Sequence, residues 1–247
     1  MPEYRYKILI EYDGTDFSGW QIQPGKRTVQ GIIQRALSQY TREDVKLSGA
    51  GRTDTGVHAV GQVGSFATEK KYNLRDLLYH INGILPEDVA IKKIIQTALD
   101  FDPRREALNR TYRYYIAESS SPLNRMTHYH SRKKLDIAKL SKAAKLILGN
   151  RDFSSFCRQK SLKDDNHCRV TGSRWFRRDG SLIYEITADR FLHNMVRRLV
   201  GAMLAVESSK LNLTQFAAFL NNKGHVRYSA EAKGLVLMKI AYRKAER

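Results

Sequence analysis

A disulfide framework is out of reach for this chain, which has two cysteines, Cys157 and Cys168, in 247 residues. No Cys-x-x-Cys pair occurs, which removes the usual structural zinc frameworks. Long apolar runs are also missing: nothing approaches the roughly 20 apolar residues of a membrane span. The segment from Met1 to Tyr12 lacks the apolar block and cleavage site of a signal peptide, so a cytoplasmic location is expected. Acidic residues are scarce, with 25 Asp and Glu against 43 Lys and Arg, a formal net charge of +18. The hydrophobic fraction of 42% and mean hydropathy of −0.50 are ordinary for a soluble chain long enough to bury a core.

A charge excess of this size opposes compaction by self-repulsion unless a polyanion uses it. The basic residues are dispersed over Lys26-Arg27, Lys70-Lys71, Arg104-Arg105, Arg132-Lys133-Lys134, Arg177-Arg178 and Arg197-Arg198. Basic surface spread over a folded body predicts a broad nucleic-acid footprint with salt-sensitive binding. A merely solubilising surface is the blander alternative. No basic amphipathic segment points to a lipid surface.

Tyr6, Ile8, Ile10 and Tyr12 alternate with polar or outward positions, a half-buried strand that Asp13-Gly14 ends. Val29, Ile32, Ile33, Ala36, Leu37 and Tyr40 recur at helical spacing, with Thr28 as the expected N-cap. A short strand is expected at Val45 to Ser48, a glycine-rich loop at Gly49 to Gly56, and a strand at Val57 to Ala67. Leu74, Leu77, Leu78 and Ile81 mark a helix capped by Asn73 and closed by Gly83. Strands follow at Val89 to Ile95 and Thr111 to Ile116. Further on, Ile137 to Leu148 reads as a helix ending at Gly149, and Arg151 to Asn166 as a long polar loop. Arg178-Asp179-Gly180 is the turn of a hairpin between Arg169 to Arg177 and Leu182 to Ala188. Helices at Phe191 to Val206 and Leu213 to Leu220, then a strand at Leu235 to Tyr242, complete the chain. The expected fold class is α+β, in two similar halves that each carry a mostly antiparallel sheet with helices. The expected division is 1–108, with the glycine-rich loop, and 109–247, with the arginine-bearing helix, the two making one catalytic unit.

The densest chemistry lies in Gly49-Ala50-Gly51-Arg52-Thr53-Asp54-Thr55-Gly56-Val57-His58-Ala59. Glycines let backbone approach a ligand closely. An ordinary turn has no need of Arg52, Asp54 and His58 crowded together. A carboxylate beside a permanent cation is favoured in its charged form and can serve as a nucleophile or general base. Asp54-Thr55-Gly56 also matches the triplet of aspartic proteases, whose chemistry needs two carboxylates sharing a proton. One copy per chain would demand a dimer for that, and the neighbouring arginine disfavours a shared proton. His128, His130, His167 and Cys168 lack metal-ligand spacing, so no metal is expected.

Several blocks together resemble one family. Tyr12-Asp13-Gly14-Thr15-Asp16-Phe17-Ser18-Gly19-Trp20-Gln21-Ile22-Gln23 resembles the opening signature of the tRNA pseudouridine synthase A family, and Thr28-Val29-Gln30-Gly31 its next block. Gly51 to Ala59 resembles its catalytic motif. Arg110-Thr111-Tyr112-Arg113-Tyr114, Asp152-Phe153-Ser154-Ser155-Phe156 and Phe191 to Gly201 are similar to later blocks. The resemblance runs from about Arg5 to Tyr242. It implies that Asp54 is the catalytic aspartate and that Arg52 displaces the target base. It further implies that Tyr112 packs on the target uracil and that Arg197 pairs with the catalytic carboxylate. The implied reaction is isomerisation of uridine to pseudouridine at positions 38 to 40 of the tRNA anticodon stem-loop. No metal or organic cofactor is implied, and a homodimer is, with two α+β halves facing a central basic cleft. One departure is visible: Glu231 stands where the family usually has proline before Ala232-Lys233-Gly234-Leu235, and an altered turn is expected there.

The chemistry fits these residue types. Breaking N1–C1′, turning the base and forming C5–C1′ requires no redox step, and one ionised carboxylate suffices. The uracil must leave its stack, which calls for a planar cation or an aromatic ring beside it. Arg52 and Tyr112 qualify, although on strand spacing alone Tyr112 reads as a core aromatic. Which atom Asp54 acts on stays open. A non-catalytic RNA-binding module is the alternative of another class. It would be marked by loss of Asp54, Arg52 or Tyr112, all of which are present.

Overall fold

The computed structural model describes residues 2–243. The chain forms two compact units, one running through Leu108 and joined by the residues from Leu237 on, the other spanning Asn109–Val236.

In the first unit, β1 (Tyr4–Tyr12) lies between β3 (His58–Thr68) and β4 (Val89–Thr97) and is antiparallel to both. The alternation predicted for β1 holds, and Tyr6, Ile8, Ile10 and Tyr12 are buried. They share the core with Ile33 and Leu37 of α1 (Val29–Thr41) and Leu77 and Ile81 of α2 (Leu74–Ile84). Thr28 occupies the N-cap of α1, but its side chain makes no capping bond. The short strand expected before the glycine-rich loop is β2 (Ser48–Gly49), later than the Val45 start predicted. Asn73 caps α2 by accepting from the N–H groups of Arg75 and Asp76. Gly83 does not close α2, because the helix runs through it to Ile84. It ends because Leu85 precedes Pro86 and is driven into the extended region, φ −68°, ψ 145°. A division at 108/109 also leaves the last strand, β10 (Leu235–Ala241), wholly with the second half. Its residues from Leu237 on instead belong to the first unit, where β10 neighbours β3 and the Leu108 N–H donates to the Ala241 carbonyl at 2.8 Å.

In the second unit, β5 (Asn109–Ala117), β9 (Ser181–Ala188), β8 (His167–Arg178) and β7 (Gly149–Asp152) follow one another antiparallel in that order. A two-residue strand, β6 (Tyr129–His130), pairs parallel with β5. The segment read as a wholly irregular loop therefore begins inside β7. One sheet face buries Tyr114, Tyr184 and Trp175 with Leu140 of α3 (Ile137–Lys145) and Leu199 and Met203 of α4 (Met195–Glu207). Asp136 caps α3 through the N–H groups of Ala138 and Lys139. A reciprocal capping box of Asn212 and Gln215 starts α5 (Leu213–Leu220). Helix α4 starts at Met195 rather than Phe191, because Asn194 takes a left-handed conformation, φ 64°, and breaks the ladder ahead of it.

Each unit thus sets an antiparallel sheet with helices, the expected α+β class. The Glu231 departure leaves the turn in proline geometry: its φ of −59° is one that proline imposes, and its carbonyl accepts from the Tyr114 hydroxyl at 3.0 Å.

Candidate active site

The Asp54 turn joins β2 to β3 in the first unit, and the segment after β1 grips it along its length. Asp13-Gly14 ends β1, and the chain then runs past Trp20 before entering α1. On the way, Trp20 N–H donates to the Thr53 carbonyl at 3.1 Å and Gly56 N–H to the Phe17 carbonyl at 3.4 Å. Val57 N–H closes the turn onto the Asp54 carbonyl at 3.2 Å. Tyr12 and Thr53 hydroxyls meet at 2.8 Å in a buried site. Burial pushes the Tyr12 phenol up, against hydrogen bonds from Thr53 and Gln62, and keeps it neutral. The Gln62 amide donates to the Gly51 carbonyl at 3.1 Å.

Two glycines make this contact possible. A Cβ on Gly14 would lie 2.1 Å from the Val57 carbonyl oxygen. One on Gly19 would lie 2.6 Å from the Thr53 carbonyl oxygen and 3.2 Å from the Asp54 carbonyl carbon, at a φ of +87° that L side chains rarely adopt. The 13–20 segment is therefore the backbone mould of the Asp54 turn. The signal was present as glycines at both ends of that segment, but nothing in sequence says which backbone they face.

Asp54 is half-buried on this turn and Arg52 is exposed two residues before it. The structure thus brings Arg52 and Asp54 onto one turn. His58, buried at the start of β3, accepts at Nδ1 from the Gly14 N–H at 3.0 Å, and Asp13 Oδ1 is 3.0 Å from the same nitrogen. Asp13 accepts from Thr15 N–H at 2.9 Å and from its hydroxyl at 2.6 Å. Farther back, Arg27 holds Asp88 with two bonds of 2.7 and 2.9 Å and lies over the Phe17 ring at 4.1 Å.

Tyr112 and Arg197 belong to the second unit. Tyr112 pairs with Ile186 across β5 and β9 and is half-buried, unlike Tyr114 two residues on, which is fully buried. Its ring and that of Phe191 form a T-shaped pair at a centroid distance of 5.2 Å and an interplanar angle of 89°. The non-helical run before α4 is what frees Phe191 for that contact. Arg197 is half-buried in the first turn of α4; its Nε donates to the Ala230 carbonyl at 2.9 Å, while Ala230 N–H donates back to the Arg197 carbonyl at 2.9 Å. Arg198 turns away, donating from Nη1 to the Val226 carbonyl at 2.8 Å and to His225 Nε2. His193, ahead of the helix, takes Ser161 Oγ at 2.8 Å on Nδ1 and Arg158 N–H at 3.1 Å on its carbonyl. The 151–166 segment is pinned to this helix start.

Two of the three histidines weighed as ligands, His128 and His167, are engaged by neighbouring side chains. His128 meets the hydroxyls of Ser181 at 3.1 Å and Thr127 at 3.0 Å, and His167 meets Asp165 at 3.0 Å. Among the described residues no three His, Cys, Asp or Glu side chains gather as a metal-ligand set. Burial pushes the Cys157 thiol up and the Cys168 thiol up to about 12, so neither is a ready nucleophile.

A model of the tRNA pseudouridine synthase family matches residues 8–104 and 143–243. The chain is 41% identical over 240 residues to the tRNA pseudouridine synthase A of Chlorobium chlorochromatii, covering 96% of this chain and 98% of the relative. It is 40% identical to that of Chlorobaculum tepidum, covering 96% and 97%. With the enzyme of Acetivibrio thermocellus it shares 38%, covering 96% and 98%. Matches of this extent leave neither half of the chain outside them, and so the chain belongs to the tRNA pseudouridine synthase A family.

Proposed function

We propose that this protein isomerises uridine to pseudouridine in the anticodon stem-loop of tRNA, at positions 38 to 40, with Asp54 as the catalytic carboxylate. The observation that carries the reading is the end-to-end match to tRNA pseudouridine synthases A, with Asp54 on a turn held by the backbone of the 13–20 segment. The reaction breaks N1–C1′, rotates the uracil and joins C5 to C1′. C5 gives up its hydrogen and N1 gains one, so the formula is unchanged and no redox partner is needed. Asp54 works on the sugar, on C6 of the base, or as a base at C2′.

Arg52, exposed on the same turn, suits the task of filling the gap left by the displaced base. Tyr112, with its ring in a T-shaped pair with Phe191, suits packing against the uracil. Arg197 is the cation for the catalytic carboxylate, with its guanidinium oriented by the Ala230 carbonyl. The +18 charge serves the tRNA backbone. We further propose a homodimer acting in the cytoplasm without a cofactor.

The test is incubation with unmodified tRNA transcripts and mapping of pseudouridine at nucleotide resolution. The expected product lies at positions 38 to 40, and modification only elsewhere overturns the site assignment. Asp54→Asn is expected to abolish turnover with tRNA affinity nearly intact, because the amide keeps the shape and loses the charge. Substantial product from that variant overturns the role of Asp54, and tRNA binding without turnover by the unmodified protein favours an RNA-binding module.

A further inference from the structure

The imidazole of His58 has no task in the reaction as proposed, yet it is buried four residues beyond Asp54. Its Nδ1 lies 3.0 Å from Gly14 N and 3.0 Å from Asp13 Oδ1. The backbone N–H is always a donor, so its bond requires the Nδ1 lone pair. A bond to Asp13 requires a proton on that nitrogen. The two contacts belong to two proton states of the ring, and in both the ring stays tied to the Asp13-Gly14 step.

That step is anchored from behind. Asp13 N–H donates to the Asp88 carbonyl at 3.0 Å, and Asp88 is the residue that Arg27 clasps. Burial would raise the Asp13 carboxyl, but hydrogen bonds from Thr15 and the neighbouring His58 outweigh it and hold the group below the usual carboxylate range. It therefore stays an acceptor. On its other side the step touches the Asp54 turn directly, Gly14 lying against the Val57 carbonyl, and Val57 N–H closes that turn onto Asp54. His58 is the residue after Val57. The ring thus spans the narrow space between the mould and the end of the turn that carries the carboxylate.

We propose that His58 is a positioning residue: through Nδ1 it holds the Asp13-Gly14 step against Val57 and thereby sets the reach of the Asp54 carboxylate. The inference rests on the reading of Asp54 as the catalytic carboxylate. A misplacement of about 1 Å in a catalytic group lowers a rate by roughly a hundredfold, so the loop that sets the reach has a readable effect.

Two amides separate this role from mere filling of space. Asn carries its polar atom the same number of bonds from the backbone as Nδ1, and Gln carries it one bond farther, at the place of Nε2. The measurements are single-turnover pseudouridine formation with saturating enzyme, tRNA affinity, and Tm. His58→Gln is expected to lower the single-turnover rate between about tenfold and a hundredfold with affinity within about twofold. His58→Asn is expected to restore it to within about threefold of the unmodified enzyme. Asp13→Ala, at an exposed side chain, removes the carboxylate partner of Nδ1 and leaves the Gly14 N–H bond in place. It is expected to lower the rate in the same direction, and it decides the matter should His58→Gln fail to fold. Equal rates for the Asn and Gln variants, a rate loss that follows Tm, or an unchanged rate in Asp13→Ala overturns the proposal. Asp54→Asn in the same assay keeps the two readings apart. Activity there removes the role of Asp54, whereas an inactive Asp54→Asn beside unaffected His58 and Asp13 variants removes only the role of His58.

Discussion

The Asp54 turn and the start of α4 are held in opposite ways. Around Asp54 the fixing contacts run between backbones: Trp20 to Thr53, Gly56 to Phe17, Val57 to Asp54, and two glycines that leave no room for a Cβ. Around Arg197 side chains carry them: Arg197 to the Ala230 carbonyl, Arg198 to the Val226 carbonyl, and Ser161 onto the His193 ring. The lesson is that the first region fails when an atom is added and the second when a donor is taken away. A turn moulded chiefly by backbone leaves the side chains of Arg52 and Asp54 out of those contacts. A helix end held by arginines must divide its donors between structure and chemistry.

The sharpest way to break this comparison is Gly14→Ala. With the new Cβ facing a carbonyl oxygen at 2.1 Å, the mould must open. The expected loss is about 3 kcal/mol in denaturant unfolding, the upper end of overpacking effects, together with loss of turnover. A near-neutral result would mean that the 13–20 segment does not hold the turn. Next comes Arg197→Met, which leaves the Ala230 carbonyl without its donor. About 2 kcal/mol is expected from a lost charge-assisted bond, with turnover lowered more than tRNA affinity. Arg197→Lys should retain more turnover, having the charge but not the planar fork. If Arg197→Met instead weakens tRNA binding at an unchanged single-turnover rate, the residue is a phosphate contact.

Smaller is Tyr12→Phe, which deletes one buried hydroxyl pair with Thr53 and keeps the backbone mould. About 1 kcal/mol is expected, and a rate loss as large as that of Gly14→Ala would show that side chains carry the turn after all.

Smallest is an acid effect read at Glu185 of the second unit, a carboxylate held by two arginines. Burial would raise the carboxyl of Glu185, but bonds from Arg113 and Arg174, at 2.7 and 2.6 Å, hold it below its usual value. A carboxyl lowered on folding contributes stability above its unfolded pKa, near 4.3, and loses it as pH falls through the folded value. Unfolding followed between pH 7 and pH 3 should therefore show a loss of Tm below about pH 4.3 that is smaller in Glu185→Gln. Identical acid profiles for the two proteins would remove this contribution.

Much of the architecture was legible before any coordinates. Helix α1, strand β1 and the hairpin around Asp179-Gly180 follow from local periodicity and turn chemistry, which act over a few residues. The misreadings share a cause. Gly83 looked like a stop, but it lies within α2 and the break came from Pro86 acting on Leu85. Phe191 looked like the start of α4, but Asn194 in a left-handed conformation set it apart and gave it to Tyr112. In each, a residue compatible with a helix was overruled by its neighbour: a proline that restricts the residue before it, and an asparagine that tolerates the left-handed conformation.

For the site, the crowding of Arg52, Asp54 and His58 on one glycine-rich loop was legible in the sequence, whereas Tyr112 and Arg197 were pointed to by the family resemblance alone. The sequence could not say what holds them, since the glycines at 14 and 19 are silent until their facing carbonyls are known. It could not assign His58 to Asp13 and Gly14, forty-four residues away along the chain from Gly14. Nor could it return the last strand to the first unit. Side-chain chemistry is a local property and can be read one residue at a time. Close approach of two backbones is a property of pairs distant in the chain, and only the folded structure decides which pairs meet.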